Sequence, residues 1–290
     1  MLSINNMEFK RLLNDVKIPI LGVGTWMVGG DIEIDVSKDP QYIESLKYAI
    51  SLGMTHIDTA ELYAKGHTEE LVGEAIKDFN RKDLFITSKV SPENLNYDNV
   101  INSCKKSLER LKTGYLDLYL IHYPNPNISL KETMSAMDEL VKKKLVRFIG
   151  VSNFSVEKLK EVQGYSKNKI VANQIEYNLL IRNSGQFTMN IEARIIPYCM
   201  ENDILIIAYR PLAKGRLGKP GIKLIDELCN KYKKTPAQIS LNWLISKNNI
   251  ITIPKAINQK HIEENSKSIG WKLDKEDILK LDNKFKDYVL

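Results

Sequence analysis

The chain reads as an α/β protein built as a closed (β/α)8 barrel, on three observations. From residue 20 onward, eight short apolar segments each precede a helical stretch. Those segments are apolar throughout rather than alternating, as expected of parallel strands buried on both faces. The 290 residues accommodate eight right-handed crossovers as one domain, 1–290, with no linker or low-complexity tract. The rival architecture is an open, doubly wound sheet. Gly22-Val23-Gly24 opens like its glycine fingerprint, but Met27 stands where the third glycine belongs. A long polar loop also separates that strand from its helix, leaving no helix N-terminus at the turn to hold a pyrophosphate.

The elements follow in order. Residues 8–13 and 16–20 form a hairpin about a turn at Asn14-Asp15, outside the alternation and suited to plugging one end of a barrel. The first barrel strand is 20–25, then a polar loop, 29–40, and a helix over 41–52 stopped by Gly53. Strand 54–57 leads to a helix over 68–79, with Thr68 as its cap. Strand 84–89 precedes a helix over 97–111, whose Val100, Ile101, Cys104, Leu108 and Leu111 share one face. Strand 115–122 pairs with helix 130–143, strand 146–152 with helix 156–163, and strand 170–175 with helix 193–202, where Pro197 marks a kink or boundary. Strand 204–209 is followed by two helices, 222–232 and 236–247, the second capped by Thr235 with Pro236 at its first position. Strand 250–253 and helix 261–269 complete the cycle. The helices 222–232 and 274–285 are two extras.

Composition narrows the function. Apolar residues make up 43% and charged residues 27%, ordinary for a large core and a solvated surface. The net charge of +6 mildly favours anionic ligands such as phosphates. Lysines are scattered along helices, which speaks against nucleic acid, and Lys142-Lys143-Lys144 reads as a solvated helix end. The three cysteines, Cys104, Cys199 and Cys229, are far apart, in helices and without a paired motif. They read as small buried hydrophobes in a reducing, cytoplasmic compartment, with no disulfide framework and no metal site. The first six residues lack a basic region followed by an apolar core, so no leader is expected, and no apolar run could span a bilayer.

In such a barrel, chemistry lies at the C-terminal ends of the strands. Those ends carry Gly24-Thr25-Trp26, Asp58, Lys89, His122-Tyr123, Ser152-Asn153, Gln174, Tyr209-Arg210 and Pro254-Lys255, with Tyr63 in the loop after Asp58. Asp58 alone would pass for a helix cap, but polar groups at every strand end are hard to explain that way. Lys89 closes an apolar strand, where an unpaired charge is costly, and Asp58 is its nearest partner by topology. A tyrosine, with a reference pKa of about 10, is a poor acid until a neighbouring ammonium lowers that value. A Tyr/Lys/His/Asp cluster therefore suits proton delivery to a carbonyl oxygen as a cofactor's hydride reaches its carbon.

The segments that carry these residues are 21–26, 53–60 with Tyr63, 86–89, 117–122, 149–154 and 253–255, within a match running from about 16 to 282. On them the chain resembles the aldo-keto reductase family, as a short-loop member of the prokaryotic type. The resemblance implies a TIM barrel and NADPH-dependent reduction of small aldehydes or ketones, ketoaldehydes and sugars included. It assigns the catalytic tetrad to Asp58, Tyr63, Lys89 and His122, with Tyr63 the general acid. It implies NADP(H) as cofactor, with NAD(H) open as a second. Gly24, Thr25 and Trp26 fall on the cofactor's side of the mouth. Ser152, Asn153 and Gln174 match residues that bind the carboxamide, and Tyr209 matches the aromatic that stacks on the nicotinamide. Arg210, Pro211 and Leu212 match the loop that spans the pyrophosphate. Lys255 matches the 2′-phosphate lysine, and Glu264 and Asn265 the adenine contacts. Three positions depart from the family. Arg210 replaces the usual serine and could pair with phosphate or lie on the surface; Ala256 replaces a serine and His261 an arginine. The lost arginine predicts a softened preference for NADPH.

Trp26, His122 and Tyr123 are expected to bind substrate, in a pocket left shallow by a short loop after His122 and by the absence of a long tail beyond Leu290. The expected assembly is a monomer or weak oligomer. Two other readings stay open: a non-catalytic NADP(H)-binding redox sensor or accessory subunit, and a Schiff-base aldolase using Lys89. The complete tetrad speaks against the first, and the Ser152-Asn153 and Lys255 motifs against the second.

Overall fold

The computed structural model describes residues 7–13 and 15–286. The first six residues, Asn14 of the hairpin turn and Leu290 lie outside them. The alternation is present as read. After the antiparallel pair β1 (Phe9–Arg11) and β2 (Lys17–Pro19) come β3 (Val23–Gly24), α1 (Asp39–Ser51), β4 (His56–Asp58), α2 (His67–Ile76), β5 (Phe85–Val90), α3 (Tyr97–Arg110), β6 (Leu116–Ile121), α4 (Leu130–Lys142), β7 (Val146–Ser152) and α5 (Val156–Tyr165). The second half holds β8 (Ile170–Glu176), α6 (Ile196–Glu201), β9 (Leu205–Tyr209), α7 (Lys223–Tyr232), α8 (Pro236–Ile245), β10 (Ile250–Thr252), α9 (Gln259–Ser266) and α10 (Lys275–Phe285).

Strands β3 to β10 form one parallel sheet of eight in sequence order. The sheet curls until its ends meet: Leu21 bridges Thr252 in parallel, and Gly22 N donates to Thr252 O at 2.8 Å. β3 is short because it lies at this seam, where Gly24 has no room for a side chain: a Cβ there would sit 2.6 Å from Ile253 O. β5, β6 and β8 are buried at every residue, which explains their lack of alternation.

The hairpin plugs the N-terminal end. Lys10 Nζ, opposite the fully buried Ile18, donates to the carbonyls of Ile245, Lys247 and Ile250, at the end of α8 and the start of β10. The two extra helices are α7 and α10, tied by Lys231 to Asp274 and Asp277. Thr235 caps α8 through a reciprocal pair with Gln238. Pro197 falls in the first turn of α6, after one wide helical turn at Ile191–Ile195.

Three details depart from the sequence reading. Thr68 does not cap α2; its hydroxyl is buried and donates to Val28 O at 2.6 Å. Gly66 precedes the helix instead, with φ of 95°, because the tight turn from Tyr63 leaves it against the Arg110 guanidinium. α2 also stops at Ile76, before Phe79. Finally, Cys229 is half-buried, while Cys104 and Cys199 are buried as expected. Burial pushes the thiols of Cys104 and Cys199 up to about 12, so they are inert. Among the described residues no helix is long and apolar enough to cross a membrane, and no cluster of metal-ligating side chains occurs.

Candidate active site

A cavity of about 820 Å³ opens at the C-terminal ends of the strands. Beneath its wall lies Lys89, a fully buried ammonium near the end of β5. The strand register brings β4 and β5 side by side, with Asp58 opposite Thr87. Lys89 Nζ lies 2.6 Å from Asp58 Oδ1 and donates to Thr59 O at 2.7 Å. Its third contact is Tyr63 OH, at 3.2 Å. The other Asp58 oxygen accepts from Gln174 Nε2 at 2.7 Å, across the barrel from β8. Both carboxylate oxygens are thus satisfied, as a buried charge requires. Burial raises the Asp58 carboxyl, and the Lys89 ammonium and Gln174 amide oppose that rise.

His122 follows β6, its ring 5.6 Å from that of Tyr63 and edge-on to it. Burial, aided by the Lys89 charge, holds His122 well below the ordinary imidazole range, so it is neutral. Its Nδ1 is buried without a hydrogen-bond partner. The expectation that Lys89 lowers the Tyr63 phenol is corrected. Burial, and then the Asp58 charge, hold it well above 10, and the cation that opposes them is Arg210. Lys89 Nζ, 3.2 Å from the hydroxyl but engaged by Asp58, does not outweigh the desolvation of a phenolate, which decides the sign. Tyr63 is a protonated donor at neutral pH.

A second polar group lies alongside. Ser152 Oγ donates to Gln174 O at 3.0 Å, and Asn153 Nδ2 donates to Ser152 Oγ at 2.9 Å. Tyr209 OH donates to Asn153 Oδ1 at 3.0 Å. Asn153 and Arg210 both have left-handed backbones, with φ of 65° and 50°, the kind of strain that clusters at functional sites. Thr25 Oγ1 donates to Asp58 O, joining the first strand end to the centre.

The structure gathers most of the residues singled out in the sequence. Gly24, Thr25, Trp26, Asp58, Tyr63, His122, Tyr123, Ser152, Asn153, Gln174, Tyr209, Arg210, Pro211 and Lys255 all line the cavity, with Lys89 just beneath its wall. Arg210 does not lie on the surface. Its Nη1 is 3.4 Å from Glu176 and 3.2 Å from Gln186, and its guanidinium covers the Trp26 ring at 4.8 Å. Lys255 makes no ion pair among the described residues, and burial lowers its pKa. Lys255 is nonetheless exposed at the cavity wall, a cation within reach of an anionic ligand. Leu212, Ala256, His261, Glu264 and Asn265 lie off the cavity. His261 is exposed on α9 and bonds Glu264 at 3.1 Å, Asn265 is buried, and Leu212 and Ala256 pack against the core.

Sequence reasoning missed the long connection between β8 and the turn at Ile191, which brings Gln186 and Phe187 to the cavity. No strand end or spacing marked them. Loop length was the available signal, since long ordered loops are usually functional.

A family model described as the Aldo/keto reductase family matches residues 20–286. The chain belongs to this family. It is 35% identical to methylglyoxal reductase YeaE of Escherichia coli, over 93% of this chain and 92% of that protein. It is likewise 35% identical to glyoxal reductase of Bacillus subtilis, over 96% and 92%. Among solved structures, the thermostable aldo-keto reductase Tm1743 in complex with the inhibitor epalrestat superposes with a TM-score of 0.89. It is 43% identical, covering 96% of this chain and 99% of that one. An aldo/keto reductase from Klebsiella pneumoniae in complex with NADP and acetate gives 0.85 at 31% identity, covering 96% and 95%. This aldo-keto reductase is therefore an oxidoreductase of carbonyl compounds, and the α/β barrel read from its sequence is the fold of its relatives.

Proposed function

We propose that the chain reduces small 2-oxoaldehydes, with methylglyoxal and glyoxal as the type substrates, to hydroxycarbonyl products using NADPH. The observation that carries the reading is Lys89 Nζ, which touches Asp58 and Tyr63 together at a cavity wall shared with a neutral His122. The names of the two curated relatives supply the substrate class.

NADPH supplies the hydride when bound. The residues present suit it: Lys255 is an exposed cation on the cavity wall, and Tyr209 presents a ring beside the amide and hydroxyl groups of Ser152, Asn153 and Gln174. These would hold the 2′-phosphate and the nicotinamide end, with Glu264 and Asn265 toward the adenine. Exposed His261 offers a weaker hold on the 2′-phosphate than an arginine fork, so NADH serves as the poorer cofactor.

In reduction, Tyr63 OH gives its proton to the carbonyl oxygen as negative charge develops there. Lys89 Nζ, 3.2 Å away, stabilises the phenolate left behind, and Asp58 keeps the ammonium in place. Neutral His122 orients the carbonyl by hydrogen bonding and leaves the proton transfer to the phenol.

The test is NADPH oxidation by the purified protein with methylglyoxal and with glyoxal, repeated with NADH. Turnover of both with NADPH, and slower turnover with NADH, is expected. Inactivity on both substrates with either cofactor would overturn the reading.

A further inference from the structure

The cavity has an arm that the reaction above does not use. Past Leu62 and Lys65 it continues along the flank of α3, where Asn99, Asn102, Ser103, Lys106 and Arg110 line it. Their helical spacing sets these five on one side of α3. The apolar residues of the same helix, Val100, Ile101, Cys104 and Leu108, face the core. The arm is a polar groove that opens off the same mouth as Tyr63.

Its hydrogen-bonding groups are held in reserve. Ser103 is only 5% exposed and lines the arm, yet its hydroxyl has no partner among the described residues. A helical serine can bond back to the carbonyl one turn earlier, as Ser45 does to Gln41 O at 2.7 Å and Ser240 to Pro236 O at 2.8 Å. Ser103 makes no such bond, and a nearly buried hydroxyl left unpaired is costly unless a ligand meets it. The side chains of Asn99, Asn102 and Lys106 likewise make no hydrogen bond or ion pair among the described residues.

Arg110 is fixed from behind. Its Nε donates to the fully buried Glu69 at 2.7 Å and its Nη2 pairs with the same carboxylate, which leaves Nη1 without a partner among the described residues. Gly66 makes room for this guanidinium, since a Cβ there would lie 2.8 Å from Arg110 Nε. The charges nearby are engaged. Lys65 pairs with Glu33 at 2.6 Å. Glu61 Oε1 accepts from Ser91 N at 2.7 Å and from Asn94 Nδ2 at 3.0 Å. Two carboxamides, a hydroxyl, an ammonium and a guanidinium nitrogen are left to donate into one groove. Such a set suits a group with negative charge and several acceptor oxygens, as a phosphate has.

We infer that this arm is a phosphate site separate from that of the cofactor, taking a phosphate ester at the far end of a carbonyl substrate or free phosphate. Lys106 supplies the charge, Ser103 and the two asparagines the directional bonds, and Arg110 a donor already in place. Phosphate binding here is independent of the reductase reading; a phosphorylated substrate rests on it.

The test titrates inorganic phosphate into protein saturated with NADPH, so that the cofactor's own phosphate positions are filled, and follows it by phosphorus NMR. Wild type, Lys106→Gln and Ser103→Ala are compared. Saturable binding is expected, weakened about tenfold in Lys106→Gln, the loss of one charge-assisted hydrogen bond, and less in Ser103→Ala. No saturable binding by the wild type, or binding unaltered in both variants, overturns the site. The kcat/KM values for erythrose 4-phosphate and erythrose then identify the source. A wild-type preference for the phosphorylated aldehyde that falls about tenfold through KM in Lys106→Gln assigns the site to the substrate's phosphate, since binding remote from the reacting carbonyl appears in KM. Phosphate binding without that preference assigns it to free phosphate. Phosphate binding in a protein that turns over neither methylglyoxal nor glyoxal supports the site and overturns the reductase reading alone.

Discussion

The two ends of the barrel use their charged groups differently. At the floor, Asp117 is fully buried and closed off: Arg147 meets one oxygen at 2.6 Å, and Arg81 meets the other at 2.8 Å. Ile86 N donates to the same Asp117 at 2.9 Å, tying β5 to β6. At the same end of the barrel, Lys10 is held by three carbonyls beside β10. At the mouth, the buried pair of Lys89 and Asp58 opens onto a cavity where, among the described residues, exposed Lys255 has no ion pair and His122 Nδ1 no hydrogen-bond partner, while Asn153 and Arg210 have left-handed backbones. The same residue types hold the fold together at one end and keep binding capacity in reserve at the other. In a barrel this follows from topology, since the floor receives short αβ turns and the mouth receives the long βα loops.

The comparison breaks most sharply at Tyr63. Tyr63→Phe should lower kcat for aldehyde reduction by roughly 10²–10⁴-fold, the usual weight of general acid catalysis. NADPH binding, followed by tryptophan fluorescence, should be retained. Turnover at the wild-type rate would remove Tyr63 from the mechanism. At the floor the effect should be on stability. Asp117→Ala removes the buried acceptor of two partly exposed arginines and of Ile86 N, and should cost roughly 1–3 kcal/mol in denaturant unfolding. The activity per folded molecule should hold; a catalytic defect without a stability loss would contradict the division between the two ends.

A smaller effect is expected at the cofactor. Lys255→Met should weaken NADPH about tenfold or more and leave NADH nearly unaffected, the loss of one charge-assisted phosphate contact. Equal weakening of both would place Lys255 away from the 2′-phosphate.

The pH dependence should be shallow. Tyr63 is held above its ordinary range and His122 below its own, so one stays protonated and the other neutral from about pH 7 to 9. The kcat for reduction should show no inflection from either group across that window. A clear one near neutrality would mean that His122 titrates in turnover.

The smallest effect concerns His67, which ties Asp39 of α1 to Glu70 of α2 just beside the mouth. Burial opposes its charge, but the hydrogen bonds that it donates to Glu70 and Asp39 outweigh it, and its pKa is raised above 6.5. Its contribution to stability is therefore complete below pH 6.5 and lost as pH rises through the raised value. His67→Gln should flatten that part of the stability curve in denaturant titrations; an unaltered slope would show that the pair contributes nothing.

Local chemistry made much of this legible in advance. Apolar runs bounded by glycine and polar loops located all eight barrel strands, because burial on both faces leaves no alternation. The strand ends then exposed Asp58, Lys89 and His122 as polar residues out of place, and the structure brings them together, Asp58 and His122 in the cavity wall and Lys89 beneath it. The boundary at Thr68 failed because a favoured capping residue was drawn into a tertiary bond with Val28, and the tight turn after Tyr63 fell to glycine instead.

By itself, then, the sequence determined the alternation, the barrel and the roster of polar strand ends, since these depend on periodicity and on which residues can be buried. Only the tertiary structure decided the rest. It set the sign of the Tyr63 shift, which is a contest between desolvation and a Lys89 already paired with Asp58. It turned Arg210 across the Trp26 ring, and it brought Phe187 from a distant loop onto Tyr123. Each of these depends on distances between residues far apart in the chain. Coulomb and packing energies depend on such distances, and the local pattern does not encode them.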